Sequence, residues 1–104
     1  MSNKIETSGK TALMTITDSS LSGPVANELK VETIKLIDSG IIHISLDLGD
    51  TKYIDSSGIG KLLFLNKKIM ACRGNFEITK ISCSLYEFLD SLTITKIIKI
   101  NNPN

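Results

Sequence analysis

Residues 42–58 read Ile42-His43-Ile44-Ser45-Leu46-Asp47-Leu48-Gly49-Asp50-Thr51-Lys52-Tyr53-Ile54-Asp55-Ser56-Ser57-Gly58. In the first half, Ile42, Ile44, Leu46 and Leu48 alternate with His43, Ser45 and Asp47. That is the period-two signature of a strand with one buried and one more polar face. A loop, Gly49-Asp50-Thr51-Lys52, then leads through Tyr53-Ile54 to Asp55-Ser56-Ser57-Gly58, where a helix begins and runs to about Cys72. Arg73-Gly74-Asn75 ends that helix with a cation and a glycine, as helix ends prefer.

Working outward, the same alternation of strand and helix continues. Leu13, Met14 and Ile16 mark a strand over 12–17, paired with a first strand near Ile5. Ser22-Gly23-Pro24 supplies a capping hydroxyl and a proline, the punctuation of a helix start. Val25, Leu29, Thr33, Leu36 and Ile37 share one helical face, and Asp38-Ser39-Gly40 stops it. Downstream, Phe76 and Ile78 alternate with Glu77 and Thr79 as another strand. Ser84-Leu85-Tyr86-Glu87 has the pattern of a capping box, opening a short helix with Leu85, Phe88 and Leu89 inward. Ile97, Ile98 and Ile100 close with a last strand, and 101–104 read as an unstructured tail. Strands alternating with helices imply an α/β fold, a sheet with parallel neighbours and crossover helices packed on it. Functional groups in such folds gather where strands hand over to helices, which directs attention to Asp55–Gly58.

The chain has 104 residues, 12 Lys+Arg against 11 Asp+Glu, and a formal net charge of +1. That length fits one domain, 1–104. An apolar share of 41% with 22% charged residues fits a folded, soluble protein. The charge balance argues against an electrostatic nucleic-acid binder. No signal-peptide core opens the chain, and no apolar run approaches the ~20 residues of a membrane span, so a cytoplasmic domain is expected. Two cysteines, Cys72 and Cys83, build neither a disulfide framework nor a four-ligand zinc site; both are expected to be packing residues.

Enzyme chemistry finds little support. His43 is the only histidine, it lies within a strand, and no G-x-S-x-G elbow surrounds any serine. Asp47, Asp50 and Asp55 read as loop and capping carboxylates. Gly58-Ile59-Gly60-Lys61 is too short for a phosphate-binding loop or a dinucleotide fingerprint. The Asp55–Gly58 run therefore has two readings. One is a plain helix start, with Asp55 or Ser56 capping free N–H groups. The other is an exposed hydroxyl that accepts a phosphoryl group, which helix N–H groups and dipole would tolerate. The helix itself places Ile59, Leu62, Leu63, Asn66, Ile69 and Met70 on one face, with Leu65 well off it. Phe64 lies nearly opposite, beside Lys61 and Lys68, as a candidate protein-docking anchor.

The stretch from Ile44 to Gly60, with Asp55-Ser56-Ser57-Gly58-Ile59-Gly60 at its end, resembles the signature of STAS domains, specifically bacterial anti-sigma-factor antagonists. The resemblance continues through Gly74-Asn75-Phe76-Glu77-Ile78 and the Leu85/Phe88/Leu89 helix to Ile97-Ile98-Lys99-Ile100. It implies a STAS-type mixed β-sheet of four to five strands with crossover helices. It also implies partner switching without catalysis by the chain itself. The unphosphorylated antagonist binds an anti-sigma factor that is also a serine kinase, and phosphorylation releases it. A metal-dependent serine phosphatase then resets it, so ATP and metal belong to the partners. The acceptor carries over to Ser57, with Asp55, Ser56 and Gly58 shaping the loop and Phe64 on the docking side. Two departures stand out. The family's Gly-x-Leu-Asp before the first helix is Ser19-Ser20-Leu21-Ser22 here, so Ser22 replaces a carboxylate expected beside Ser57. The chain also ends soon after its last strand, without a terminal helix, and a homodimer could cover the gap. A non-switching STAS interaction subunit, with Ser57 as a helix cap, is the alternative.

Overall fold

The computed structural model describes residues 3–103. Strands β1 (Lys4–Ser8) and β2 (Thr11–Thr15) form an antiparallel hairpin across Gly9-Lys10. A two-residue strand β3 (Ser20–Leu21), helix α1 (Gly23–Asp38) and strand β4 (His43–Leu48) follow. Then come a second two-residue strand β5 (Tyr53–Ile54), helix α2 (Ser56–Ala71), strand β6 (Asn75–Ile81) and helix α3 (Cys83–Ser91). A 3-10 turn at Ile94–Lys96 leads into β7 (Lys99–Ile100). The fold is the mixed α/β arrangement expected, with five strands in the main sheet.

That sheet has the order β1-β2-β4-β6-β7. β1 is antiparallel to β2, and the other neighbours are parallel. Each parallel connection steps one strand further in the same direction. Because such crossovers are right-handed, all of them pass over the same face of the sheet. Burial follows suit: Ile44, Leu46 and Leu48 of β4 are buried, while His43, Ser45 and Asp47 between them are only partly covered. β6 obeys the same alternation until its register shifts opposite Leu46/Asp47. The extra residue there is a bulge, and it lets Ile78 and Ile81 both point into the core.

Helix α1 buries Ala26, Leu29 and Thr33, with Val25, Leu36 and Ile37 partly buried beside them, the face read from its periodicity. Helix α2 is rotated from the expected face. Its buried stripe is Gly58, Leu62, Leu65 and Ile69, so Leu65 is core, whereas Met70 is 59% exposed. Apolar residues occur nearly all round this helix, so its own periodicity does not single out a face; contacts with α1, β5 and β6 decide it. Its end also differs in detail. The left-handed residue is Arg73, at φ 61, and the N–H groups of Arg73 and Gly74 donate to Met70 O and Ile69 O, a Schellman closure. Gly74 is needed for another reason: a Cβ there would overlap the Ile42 carbonyl oxygen.

Four further expectations are corrected. The cap of α3 is Ser82, whose hydroxyl accepts from Leu85 N–H at 3.2 Å, two residues before Ser84. Leu85 and Leu89 are inward, but Phe88 is 43% exposed. Helix α3 ends through Thr93, again at φ 61. The closing strand is limited to Lys99–Ile100, with Ile98 buried and Ile97 exposed before it. Asn101 N–H donates to Ile78 O. Cys72 and Cys83 are exposed and not joined in a disulfide, rather than being packed in the core.

The rotated face of α2 yields a direct test. Leu65→Ala should cost about 2–5 kcal/mol of unfolding free energy in urea titrations. Met70→Ala should stay within about 0.5 kcal/mol; the reverse ranking would restore the face read from periodicity.

Candidate functional site

The run Asp55–Gly58 lies where β5 hands over to α2. Asp55 is the N-cap, in extended backbone, and its Oδ1 accepts from Gly58 N–H at 2.9 Å. Its carbonyl accepts from Ile59 N–H at 3.0 Å. One of the two capping readings is thereby selected: Asp55 caps, and neither Ser56 nor Ser57 does. The N–H groups of Ser56 and Ser57 belong to the first turn, whose donors have no intrahelical carbonyl to reach. Ser56 is exposed and Ser57 partly exposed. Among the described residues, neither hydroxyl has a hydrogen-bond partner.

Gly58 is fixed by close approach rather than by a turn. A Cβ at this position would overlap the Leu21 carbonyl oxygen and lie 2.8 Å from Ile54 Cγ2. The first turn of α2 is therefore pressed directly against β3. That strand is itself paired in parallel with β5, Ser20 to Tyr53 and Leu21 to Ile54. The Ser19 carbonyl accepts from Lys52 N–H at 2.7 Å and Tyr53 N–H at 3.1 Å. The buried Thr51 hydroxyl donates to Asp18 O at 3.1 Å. This small second sheet, which two-residue strands cannot announce by periodicity, holds the loop before α1 against the loop before α2.

Ser22 therefore sits on the segment beside the Asp55–Gly58 run. It is the N-cap residue of α1, but its hydroxyl makes no capping bond. It pairs with the Ser20 hydroxyl at 2.8 Å instead. The expected capping role of Ser22 is thus not realised, because the neighbouring hydroxyl competes for it.

Apolar surface flanks the same corner. Tyr53 is 58% exposed and, with Phe88, borders a shallow groove of about 260 Å³ floored by Ile54 and Leu85. The sequence offers no signal for Tyr53, and the periodicity of α3 places Phe88 inward, whereas both are exposed. Phe64 lies further along α2 and is 43% exposed, with Lys30 Nζ of α1 4.8 Å from its ring centroid. A cation over an aromatic face is weakly attractive, and it ties the outer edges of the two helices together without covering the ring.

The larger cavity, about 530 Å³, is elsewhere, along residues that include Thr11, His43 and Asn75. Its polar groups are turned to one another: His43 Nδ1 to Asn75 at 2.9 Å and Ser45 to Glu77 at 3.2 Å. Among the described residues, His43 is engaged by an amide and not by a serine hydroxyl. Among the described residues, no three His, Cys, Asp or Glu side chains converge to hold a metal. No described helix is long and apolar enough to cross a membrane.

The roles of Asp55, Ser57 and Gly58 separate by stability. Asp55→Ala should cost about 1 kcal/mol through its lost cap. Gly58→Ala should cost about 1–3 kcal/mol because the methyl group must displace β3. Ser57→Ala should leave thermal unfolding within about 0.5 kcal/mol of wild type. A large loss in Ser57→Ala would make its hydroxyl structural.

Solved structures share this arrangement. TM1081 of Thermotoga maritima superimposes with a TM-score of 0.83 at 19% identity, covering 94% of this chain and 84% of that one. The anti-sigma factor antagonist SpoIIAA in its unphosphorylated form gives 0.81 at 14% identity, over 97% of this chain and 89% of its own. The phosphorylated form of SpoIIAA, a Bacillus cell fate determinant, gives 0.74 at 13% identity, over 97% and 92%. No curated protein sequence matches the chain. The likeness to these structures is one of fold, but the sequence itself fits the model of the STAS domain over residues 4–103, so the chain belongs to the STAS domain family.

Proposed function

We propose that this protein is an anti-sigma-factor antagonist that works by partner switching, with Ser57 as the phosphoryl acceptor. The observation that carries the reading is the state of Ser57: a partly exposed hydroxyl, without a structural bond, in the first turn of a helix already capped by Asp55. A phosphate on that hydroxyl meets the open N–H groups of Ser56 and Ser57 and the positive end of the helix dipole. The free protein accommodates the charge.

A bound partner would not. Phosphorylation adds about −1.5 to −2 charge at a corner bordered by Tyr53, Ile54 and Phe88, with Phe64 further along α2. Docking on such a surface strips water from the site, and stripping water from an unpaired dianion is costly. The unphosphorylated form is then the binding form and the phosphorylated form the released one. In this reading the partners are an anti-sigma factor with serine kinase activity and a serine phosphatase. The switch operates in the cytoplasm, and the chain supplies the substrate hydroxyl and the surface, with no catalysis of its own. Asp55 and Gly58 hold the loop, and Ser56 lies beside the acceptor.

One observation favours a second reading. Ser22, where the family pattern has a carboxylate, is engaged with Ser20, so a kinase that uses that carboxylate finds none. A STAS module that binds its partner constitutively, as a subunit of a signalling assembly or lipid-transport complex, fits that difference.

Intact-mass analysis of protein recovered from its own cells, with the modified residue mapped, separates the two. Partner switching requires a single phosphate on Ser57 whose occupancy changes with growth conditions. Unmodified protein under all conditions selects the constitutive module. With the cognate kinase in hand, Ser57→Asp should weaken the complex by at least ~30-fold, about 2 kcal/mol. Undiminished binding by that variant would sink the mechanism.

A further inference from the structure

The outer edge of β1 has a self-complementary pattern. β1 is the terminal strand of the main sheet, and all five of its residues are exposed. Its neighbour fixes which backbone groups are free. Lys10 O accepts from His43 N–H, so the even-numbered residues of β2 address β4 and the odd-numbered ones address β1. Through the register Lys4 to Thr15, Glu6 to Leu13 and Ser8 to Thr11, Lys4, Glu6 and Ser8 spend their N–H and C=O groups on β2. Those of Ile5 and Thr7 point outward, away from the sheet.

An edge of this kind is a template for another strand unless its side chains repel one. Here they do the opposite. Lys4 and Glu6 project from the same face of β1, two residues apart, and neither is in an ion pair or side-chain hydrogen bond among the described residues. An antiparallel copy placed about a two-fold axis at Ile5 sets Lys4 opposite Glu6 of the second copy, and Glu6 opposite its Lys4. Ile5 then meets Ile5 as a hydrogen-bonded pair that uses the outward N–H and C=O groups. A two-fold at Glu6 would instead oppose two carboxylates. Ile5, 37% exposed, finds its apolar cover only in the first register. The edge carries no proline to block the ladder.

We propose that the occupant of this edge is a second copy of the same chain, giving a two-fold dimer with one ten-stranded sheet through β1. The proposal stands apart from the switching mechanism and does not involve Ser57.

Sedimentation equilibrium over a concentration series tests it. The mass should rise from 11.4 kDa toward twice that value. Lys4→Glu or Glu6→Lys alone turns two attractive cross-strand pairs into repulsive ones and should weaken the dimer by roughly tenfold or more. The double variant Lys4→Glu/Glu6→Lys should restore it, which also excludes misfolding as the cause of the single-variant loss. In a Cys72→Ser/Cys83→Ser background, Ile5→Cys should oxidise to a covalent dimer, since Cα atoms of a hydrogen-bonded antiparallel pair are about 5.5 Å apart, within disulfide range. Thr7→Cys, which meets Asn3 of the second copy in this register, should not. A monomer at every concentration, or a dimer indifferent to both charge reversals, would overturn the proposal; a dimer cross-linked through Thr7→Cys and not Ile5→Cys would overturn the register.

Discussion

Every parallel connection in the main sheet steps in the same direction, and the rest of the architecture depends on that constraint. Right-handed crossovers that never reverse direction load one face with helices and leave the other bare. Parallel strands usually sit between two helical layers and read as continuous apolar runs. β4 does not: His43, Ser45 and Asp47 interrupt Ile44, Leu46 and Leu48, because only half of each strand has a core to enter. The polar residues of the open face then satisfy one another, as in Ser45 with Glu77 and Glu77 with Lys99. Coverage by one layer also concentrates packing in the helices that lie on it, which is why a side chain as far from the apparent stripe as Leu65 is completely buried.

The candidate site adds a local constraint to this global one. β3 and β5 are too short to contribute much by themselves, yet their parallel pairing brings the starts of α1 and α2 together. Gly58 permits the contact, with the Leu21 backbone occupying the space of the missing side chain. Asp55 takes up the cap, leaving the serines uncommitted. This division of labour explains why Asp, Ser and Gly occur together at one turn. The aspartate stabilises the helix end, the glycine admits the neighbouring strand, and the two serines between them keep hydroxyls that the fold does not use.

Much of this was legible in the residues before any coordinates. The alternation of β4, the proline near the start of α1 and the Asp55 run located β4, α1, α2 and the handover between strand and helix, though not the short β3 and β5. Ser82 and Ser84 show where reading failed: both can cap, and Glu87 favours the later one, but β6 runs to Ile81 and α3 starts at once behind it, with Ser82 as its cap. The face of α2 was illegible because Ile59, Leu63, Phe64 and Met70 surround the true stripe with equally apolar alternatives. Phe64 was placed outside the core from angle alone, and it is outside; its pairing with Lys30 needed the packing of α1 against α2, which no local pattern contains. Gly74 was rightly expected at a helix end, but for a conformation that Arg73 adopts instead.

Arg73 and Thr93, both left-handed without being glycine, bear on how this domain tolerates change. A side chain in that region costs on the order of 1 kcal/mol or more, and a β-branched one such as Thr93 is especially disfavoured. Both lie at helix C-termini, away from the Asp55–Gly58 corner in sequence. The domain thus holds reserves of stability that evolution or engineering can release by single glycine substitutions away from the Asp55–Gly58 corner. Destabilising changes elsewhere in the domain, that corner included, can thus be offset at these two helix ends.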